Sequence, residues 1–198
     1  LGVTGATLGV STSGVGRDMV CAEVVGDDIV LLQADTTGIT TGYVMLSRDA
    51  GATFTTITTA MLDRPRTCAH GGKVYVAERS ANKVGVRTIT PGGGLSAVVD
   101  TGAGCFDTAC IIARDDGTLW VFGDTAGGSG TIDYDSAVSI DGGVTWTAMG
   151  NPAMTTGTAA YANAGYQWAV GCMFGARMVI AASVDATTGT ATGPHFFT

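Results

Sequence analysis

Five cysteines, two glutamates, two histidines and a scatter of paired aspartates are the side chains of this 198-residue sequence best able to do chemistry. Cys21, Cys68, Cys105, Cys110 and Cys172 include no Cys-x-x-Cys pair, so the spacing of a zinc knuckle or a thioredoxin-like site is missing. Five thiols permit two disulfides with one left over. His70 and His195 are far apart and have no acid and nucleophile to match, so no triad follows. Asp27-Asp28, Asp115-Asp116 and Asp133-x-Asp135 offer oxygens that Ca²⁺ would accept. None has EF-hand spacing, and Asp is a favoured turn residue, so solvated turns are the first reading and Ca²⁺ the second; no other cofactor is expected.

The elements that must position these groups are strands. Only two Glu, two Lys and few Leu leave little to build helices from, while abundant Thr, Val and 31 Gly favour strands and turns. Charged residues make up 14%, against about 25% in an average soluble domain. The net charge of −7 argues against nucleic acid or an anionic membrane as the main partner. No apolar run approaches the roughly 18 residues of a membrane-spanning helix. The chain starts at Leu1 with no signal sequence and reads as a processed protein or as a fragment of a longer one. Low Lys with abundant Thr, Gly and Ala points to a secreted, extracellular location.

Four repeats organise the chain, each a Cys followed by a turn and a short apolar strand. They run from Cys21 to Ile29-Val30-Leu31-Leu32, from Cys68 to Val74-Tyr75-Val76-Ala77, from Cys110 to Leu119-Trp120-Val121-Phe122, and from Cys172 to Met178-Val179-Ile180-Ala181. The turns between hold Gly26-Asp27-Asp28, Gly71-Gly72-Lys73, Asp115-Asp116-Gly117 and Gly175-Ala176-Arg177, a hairpin signature. One repeat spans about 50 residues. Cys21, Cys68, Cys110 and Cys172 therefore occupy equivalent places. Small packed apolar groups, one or two disulfides drawing in Cys105, and a soft-metal thiol ring are the readings, in that order.

Two repeats carry a sharper motif. Ser47-Arg48-Asp49-Ala50-Gly51-Ala52-Thr53-Phe54 and Ser139-Ile140-Asp141-Gly142-Gly143-Val144-Thr145-Trp146 both read Ser-x-Asp-x-Gly-x-Thr-aromatic and lie 92 residues apart. They resemble the Asp box of sialidase-type β-propellers, where it sits between the third and fourth strands of a blade. Ser and Asp oxygens can bind turn amides, Gly accepts positive φ, and the aromatic ring packs beneath. The intervening repeat keeps a turn at Thr90-Pro91-Gly92-Gly93-Gly94 without the box. The resemblance implies an all-β, four-bladed propeller over 1–198, with blades near 15–60, 61–103, 104–150, and 163–198 plus 1–12. Third strands fall at 43–46, 84–88 and 135–138, and fourth strands at 53–57, 95–99 and 145–148. The last blade lacks a fourth strand after Phe196-Phe197, and Gly5-Ala6-Thr7-Leu8, similar to Gly51-Ala52-Thr53-Phe54, is expected to supply it.

Sialidase-like catalysis would need an arginine cluster, a Tyr–Glu pair and an Asp acid, on six blades. Asp63-Arg64-Pro65-Arg66 only loosely resembles that family's Arg-Ile-Pro, and neither Glu23 nor Glu78 has a Tyr partner at the level of sequence. The box aspartates match peripheral turns. Tyr75, Trp120, Trp146 and Trp168 read as blade core, with sugar stacking by Trp168 as the second reading. The expectation is a secreted, non-enzymatic structural protein that associates with itself into filaments or a surface layer. A glycan- or protein-binding propeller module, adhesin- or lectin-like, is second; a sialidase-like glycoside hydrolase fragment is third.

Overall fold

The computed structural model describes residues 17–35, 42–60, 65–92, 94–105, 109–124, 134–150, 165–174, 177–185 and 195–197, and no helix occurs among them. The strands there form four antiparallel sheets. The first runs β1 (Arg17–Val25), β2 (Asp28–Asp35), β3 (Gly42–Ser47) and β4 (Thr55–Ala60) in spatial order. The second holds β5 (Arg66–His70), β6 (Lys73–Ser80), β7 (Lys83–Thr90), β8 (Gly94–Leu95) and β9 (Val99–Gly104), with β8 and β9 both on β7. The third is β10 (Ala109–Ala113), β11 (Leu119–Asp124), β12 (Tyr134–Ser139) and β13 (Thr147–Gly150). The fourth is β14 (Gly165–Phe174), β15 (Arg177–Asp185) and β16 (His195–Phe197). The four aligned cysteines all lie on first strands, as their equivalence implied. Gly5, Ala6, Thr7 and Leu8 lie outside the described residues.

The second strand of the second sheet, β6, reads as an unbroken apolar run because both faces of that sheet are covered. On β6, Val74 and Val76 pack with Val30, Leu32, Val44 and Leu46 of the first sheet, all nearly inaccessible to water. Their neighbours Tyr75 and Ala77 point the other way and pack with Ile111, Leu119, Val121 and Ala137 of the third sheet. Period-two alternation thus serves two cores instead of one core and solvent. First strands lie side by side in chain order: β1 with β5, β5 with β10, β10 with β14.

Two expectations about fourth strands need correction. β4 and β13 start at Thr55 and Thr147, two residues later than the pattern suggested. The amides of Thr53 and Thr145 donate to Asp49 and Asp141, which holds both threonines in the turn and out of the ladder. In the second sheet the strand expected at 95–99 is broken in two. Ser96 Oγ accepts the Thr88 amide (2.9 Å), so a side chain takes a ladder position, and pairing resumes where Val99 faces Val86.

The second and third sheets meet closely. A Cβ on Gly123 of β11 would lie 2.1 Å from the Gly104 carbonyl oxygen, so only glycine fits there. Asp135 Oδ2 accepts the Gly104 amide across the same seam (2.7 Å), and the Cys105 amide donates to Asn82 O (2.9 Å). Asp135, a Ca²⁺ candidate by sequence, is a clamp between sheets.

Candidate functional site

Short turns gather at one end of the sheets, at 26–27, 71–72 and 114–118, together with the two Ser-x-Asp-x-Gly-x-Thr segments. Those segments fold alike. Ser47 Oγ donates to Asp49 Oδ1 (2.7 Å) and accepts the Gly51 amide (2.8 Å), while Thr53 Oγ1 donates to Asp49 Oδ2 (2.6 Å). In the third sheet Ser139 Oγ donates to Asp141 Oδ1 (2.8 Å) and accepts the Gly143 amide (2.9 Å), and the Thr145 amide donates to Asp141 Oδ1 (2.9 Å). Trp146 Nε1 donates to Gly143 O (3.3 Å) beneath that turn. The threonine hydroxyl and amide, then the serine hydroxyl, hold both Asp carboxyls down at about 2. Every bond made by these carboxylates stabilises a turn, so neither is left to act on a ligand.

Asp116 is similarly engaged. It accepts the Thr118 amide (2.9 Å) and faces Arg114 (3.7 Å) in an exposed turn. No three of His, Cys, Asp and Glu gather in metal-binding range among the described residues. Asp133, Asp63 and Arg64 lie outside them, and Cys172, Trp168 and His195 are described by backbone alone. Glu78 is buried (2% exposed) and its Oε1 accepts Arg87 Nε at 2.6 Å. Tyr75 is also buried; its ring stands against Gly143 of the third sheet, so it is core and no partner for a glutamate. Trp120 stacks on Phe122, ring centres 6.2 Å apart.

What the fold brings together lies on the first strands. Thr67 Oγ1 of β5 donates to Glu23 Oε1 of β1 at 2.6 Å, bridging two sheets, and both residues are half-buried. One layer along, Cys21 Sγ donates to Pro65 O (3.5 Å), whose carbonyl also accepts Arg66 Nη1 (2.9 Å). Burial raises the Cys21 thiol. Cys68 is pushed up to about 12, first by burial, then by the Glu23 charge and by Cys110. Such thiols stay protonated at neutral pH and are poor nucleophiles. No disulfide joins Cys21, Cys68, Cys105 and Cys110, so the disulfide reading fails for these four. Thr67 escaped the sequence reading. Its signal was its position one residue before Cys68, which alignment of the cysteines places beside Cys21 and Glu23.

No family model matches the sequence, and no curated protein is similar to it. Solved structures do match. A GH43 β-1,3-galactosidase superposes with a TM-score of 0.54 at 10% identity, over 82% of this chain and 65% of its own. An exo-β-1,3-galactanase from Phanerochaete chrysosporium gives 0.52 at 10% identity, over 82% and 41%. A sialidase from Trypanosoma rangeli gives 0.58 at 12% identity, over 88% and 31%. The chain thus spans less than two thirds of each of them. At these identities the likeness shows a fold, and that fold is the propeller type. It also corrects the expectation of a non-enzymatic protein, because this propeller is shared with glycosidases; nothing in it supports assembly into filaments or a layer.

Proposed function

We propose that this chain is a four-bladed propeller, with Asp boxes at Asp49 and Asp141, that acts on glycans at its first strands in the manner of a glycoside hydrolase. The observation that carries the reading is Glu23. Unlike Glu78 it is half-exposed, it lies on a first strand, and a hydroxyl at 2.6 Å orients one of its oxygens. A carboxyl so held can exchange a proton with a glycosidic oxygen or a water, which is the acid–base task of such hydrolysis. The fold likeness to galactosidase, galactanase and sialidase supports the same class. Such a protein meets its glycans outside the cell.

A second reading is glycan binding at the same place. Hydrolysis by a carboxylate pair needs the two groups roughly 5–9.5 Å apart. Asp18 is the other acidic residue on β1, but at about 3.3 Å per residue its backbone position lies roughly 16 Å from that of Glu23. The full chain incubated with a panel of nitrophenyl glycosides and galactan oligosaccharides separates the readings. Turnover that Glu23→Gln lowers by about 100-fold or more supports hydrolysis. Binding without turnover supports the second reading. Turnover unaffected by Glu23→Gln would remove Glu23 from the site.

A further inference from the structure

We infer that residues 9–12 of this chain form the outer strand of the fourth sheet, pairing along β16 in a bulged register that the first and third sheets share. β16 is the edge of a three-stranded sheet, whereas β4 lies outside β3 and β13 outside β12. In those two sheets the outermost pairs follow one rule. Leu46, Met45 and Val44 face Thr55, Thr56 and Thr58 in the first, and Val138, Ala137 and Ser136 face Thr147, Ala148 and Gly150 in the third. Both steps over one residue, Ile57 or Met149, before the third pair.

The place of β16 is fixed from its inner side. The hairpins that join β1 to β2 and β14 to β15 close alike, at Val25–Asp28 and Phe174–Arg177. Counted from those closures, Ile180 stands where Leu31 stands; Ile180 faces Phe197, and Leu31 faces Met45. Phe197 therefore holds the place of Met45, and Phe196 that of Val44. Residues 1–16 lie outside the described residues, but their sequence carries its own count. Gly5-Ala6-Thr7-Leu8 matches Gly51-Ala52-Thr53-Phe54, which in the first sheet belongs to the turn, the strand starting after it at Thr55. The match assigns Gly5–Leu8 to a turn and gives the strand to Gly9, Val10 and Thr12, in the places of Thr55, Thr56 and Thr58. Val10 then faces Phe197 and Thr12 faces Phe196, with Ser11 stepped over as Ile57 is.

A strand edge is a row of amides and carbonyls that any strand can pair with, so the tether decides which strand does. Four residues separate Thr12 from Arg17, where β1 begins, and four also separate β9 from β10. Five residue steps reach about 17 Å, which exceeds the roughly 14 Å width of a four-stranded sheet (three spacings of about 4.8 Å). An outer strand at 9–12 can thus lead into β1 as β9 leads into β10. So short a tether keeps the segment at high effective concentration beside β16 and favours it over the same segment of a second copy. The pairing ties the fourth sheet to the first.

The test is a cross-link in the full chain. Facing residues of an antiparallel pair have Cα atoms about 4.5–5.5 Å apart, within reach of a disulfide, and a displacement of two residues exceeds its limit of about 7 Å. Val10→Cys/Phe197→Cys, oxidised with diamide, is expected to form the 10–197 disulfide within one chain at least about tenfold faster than Val10→Cys/His195→Cys forms its own. Mass spectrometry of non-reduced peptides reads both. In the unaltered protein, hydrogen exchange over residues 9–12 is expected to be at least about 100-fold slower than in an unstructured peptide, because ladder amides exchange only on opening. Equal cross-linking of the two pairs in folded variants would overturn the register. A 10–197 link found only between chains would overturn pairing within the chain. Exchange of residues 9–12 at the unstructured rate would overturn the strand itself.

Discussion

Gly123→Ala gives a severe test of the packing between the second and third sheets. The added methyl would meet the Gly104 carbonyl oxygen at 2.1 Å, Val84 Cγ2 at 2.7 Å and Cys105 Cβ at 3.0 Å. The first of these is backbone and cannot rotate away, so relief needs a shift of about 1 Å by β9 or β11. That shift would pull on the Asp135–Gly104 and Cys105–Asn82 hydrogen bonds at the same seam. Overpacking of a tight core costs about 1–3 kcal/mol, and an immovable partner places this case at about 3. For a chain of this size the melting temperature should fall by about 6–12 °C. Gly85→Ala is the comparison, since its Cβ would meet Val98 Cγ1 at 2.7 Å, a methyl that can turn aside, and Ser80 Cβ at 3.0 Å, which needs only a shift of a few tenths of an ångström; about 1–2 kcal/mol is expected. Urea and thermal unfolding of both variants, followed by tryptophan fluorescence, measure the two costs. If Gly123→Ala unfolds within 0.5 kcal/mol of the parent (roughly the tolerance of a neutral surface change), the close approach of the sheets is wrong.

Three further outcomes are expected. Asp49 and Asp141 have folded values lowered to about 2 from an ordinary 3.8, so their stabilising effect is present above pH 4 and lost as pH falls from about 4 to 2; acid unfolding of Asp49→Asn/Asp141→Asn should lose part of its steepness in that window. Cys68 is shifted the other way, so stability should decline as pH rises from about 9 to about 12, where the unfolded thiol ionises and the folded one does not; Cys68→Ala should flatten that decline, and the native thiol should resist a disulfide reagent at pH 8. Arg87→Met leaves the Glu78 carboxylate buried without its partner guanidinium and should cost about 3 kcal/mol in urea unfolding, with Glu78→Gln added on top recovering part of the loss.

Much of the architecture was legible because it rests on local chemistry. Cys21, Cys68, Cys110 and Cys172 mark first strands since each precedes a glycine- or aspartate-bearing hairpin, and the two Ser-x-Asp-x-Gly-x-Thr segments mark the turn before a fourth strand. What escaped depends on neighbours distant in sequence. Ser96 breaks the last strand of the second sheet by bonding to Thr88, and nothing about a serine announces that partner. Glu78 and Arg87 stand on adjacent strands nine residues apart, a distance that pattern reading has no reason to connect. The Glu23–Thr67 contact spans 44 residues and two sheets. The repeat aligned their strands, but the bond depends on how far one sheet is staggered against the next.

The two boxes lock two of the 17 acidic residues into turns. Within each box the fixed positions are Ser, Asp and Thr, whose side chains are bonded, and a Gly at positive φ. The variable positions point to water. Ile140 and Val144 are 85% and 71% exposed, and their counterparts Arg48 and Ala52 are exposed too. The motif therefore tolerates a cation or an aliphatic group at its tip while its carboxylate stays locked. Asp135 is spent between sheets and Glu78 within one. Glu23 differs because it is half-exposed and its donor is a hydroxyl. A half-exposed carboxylate, placed where first strands from adjacent sheets run side by side, is where ligand chemistry should be sought.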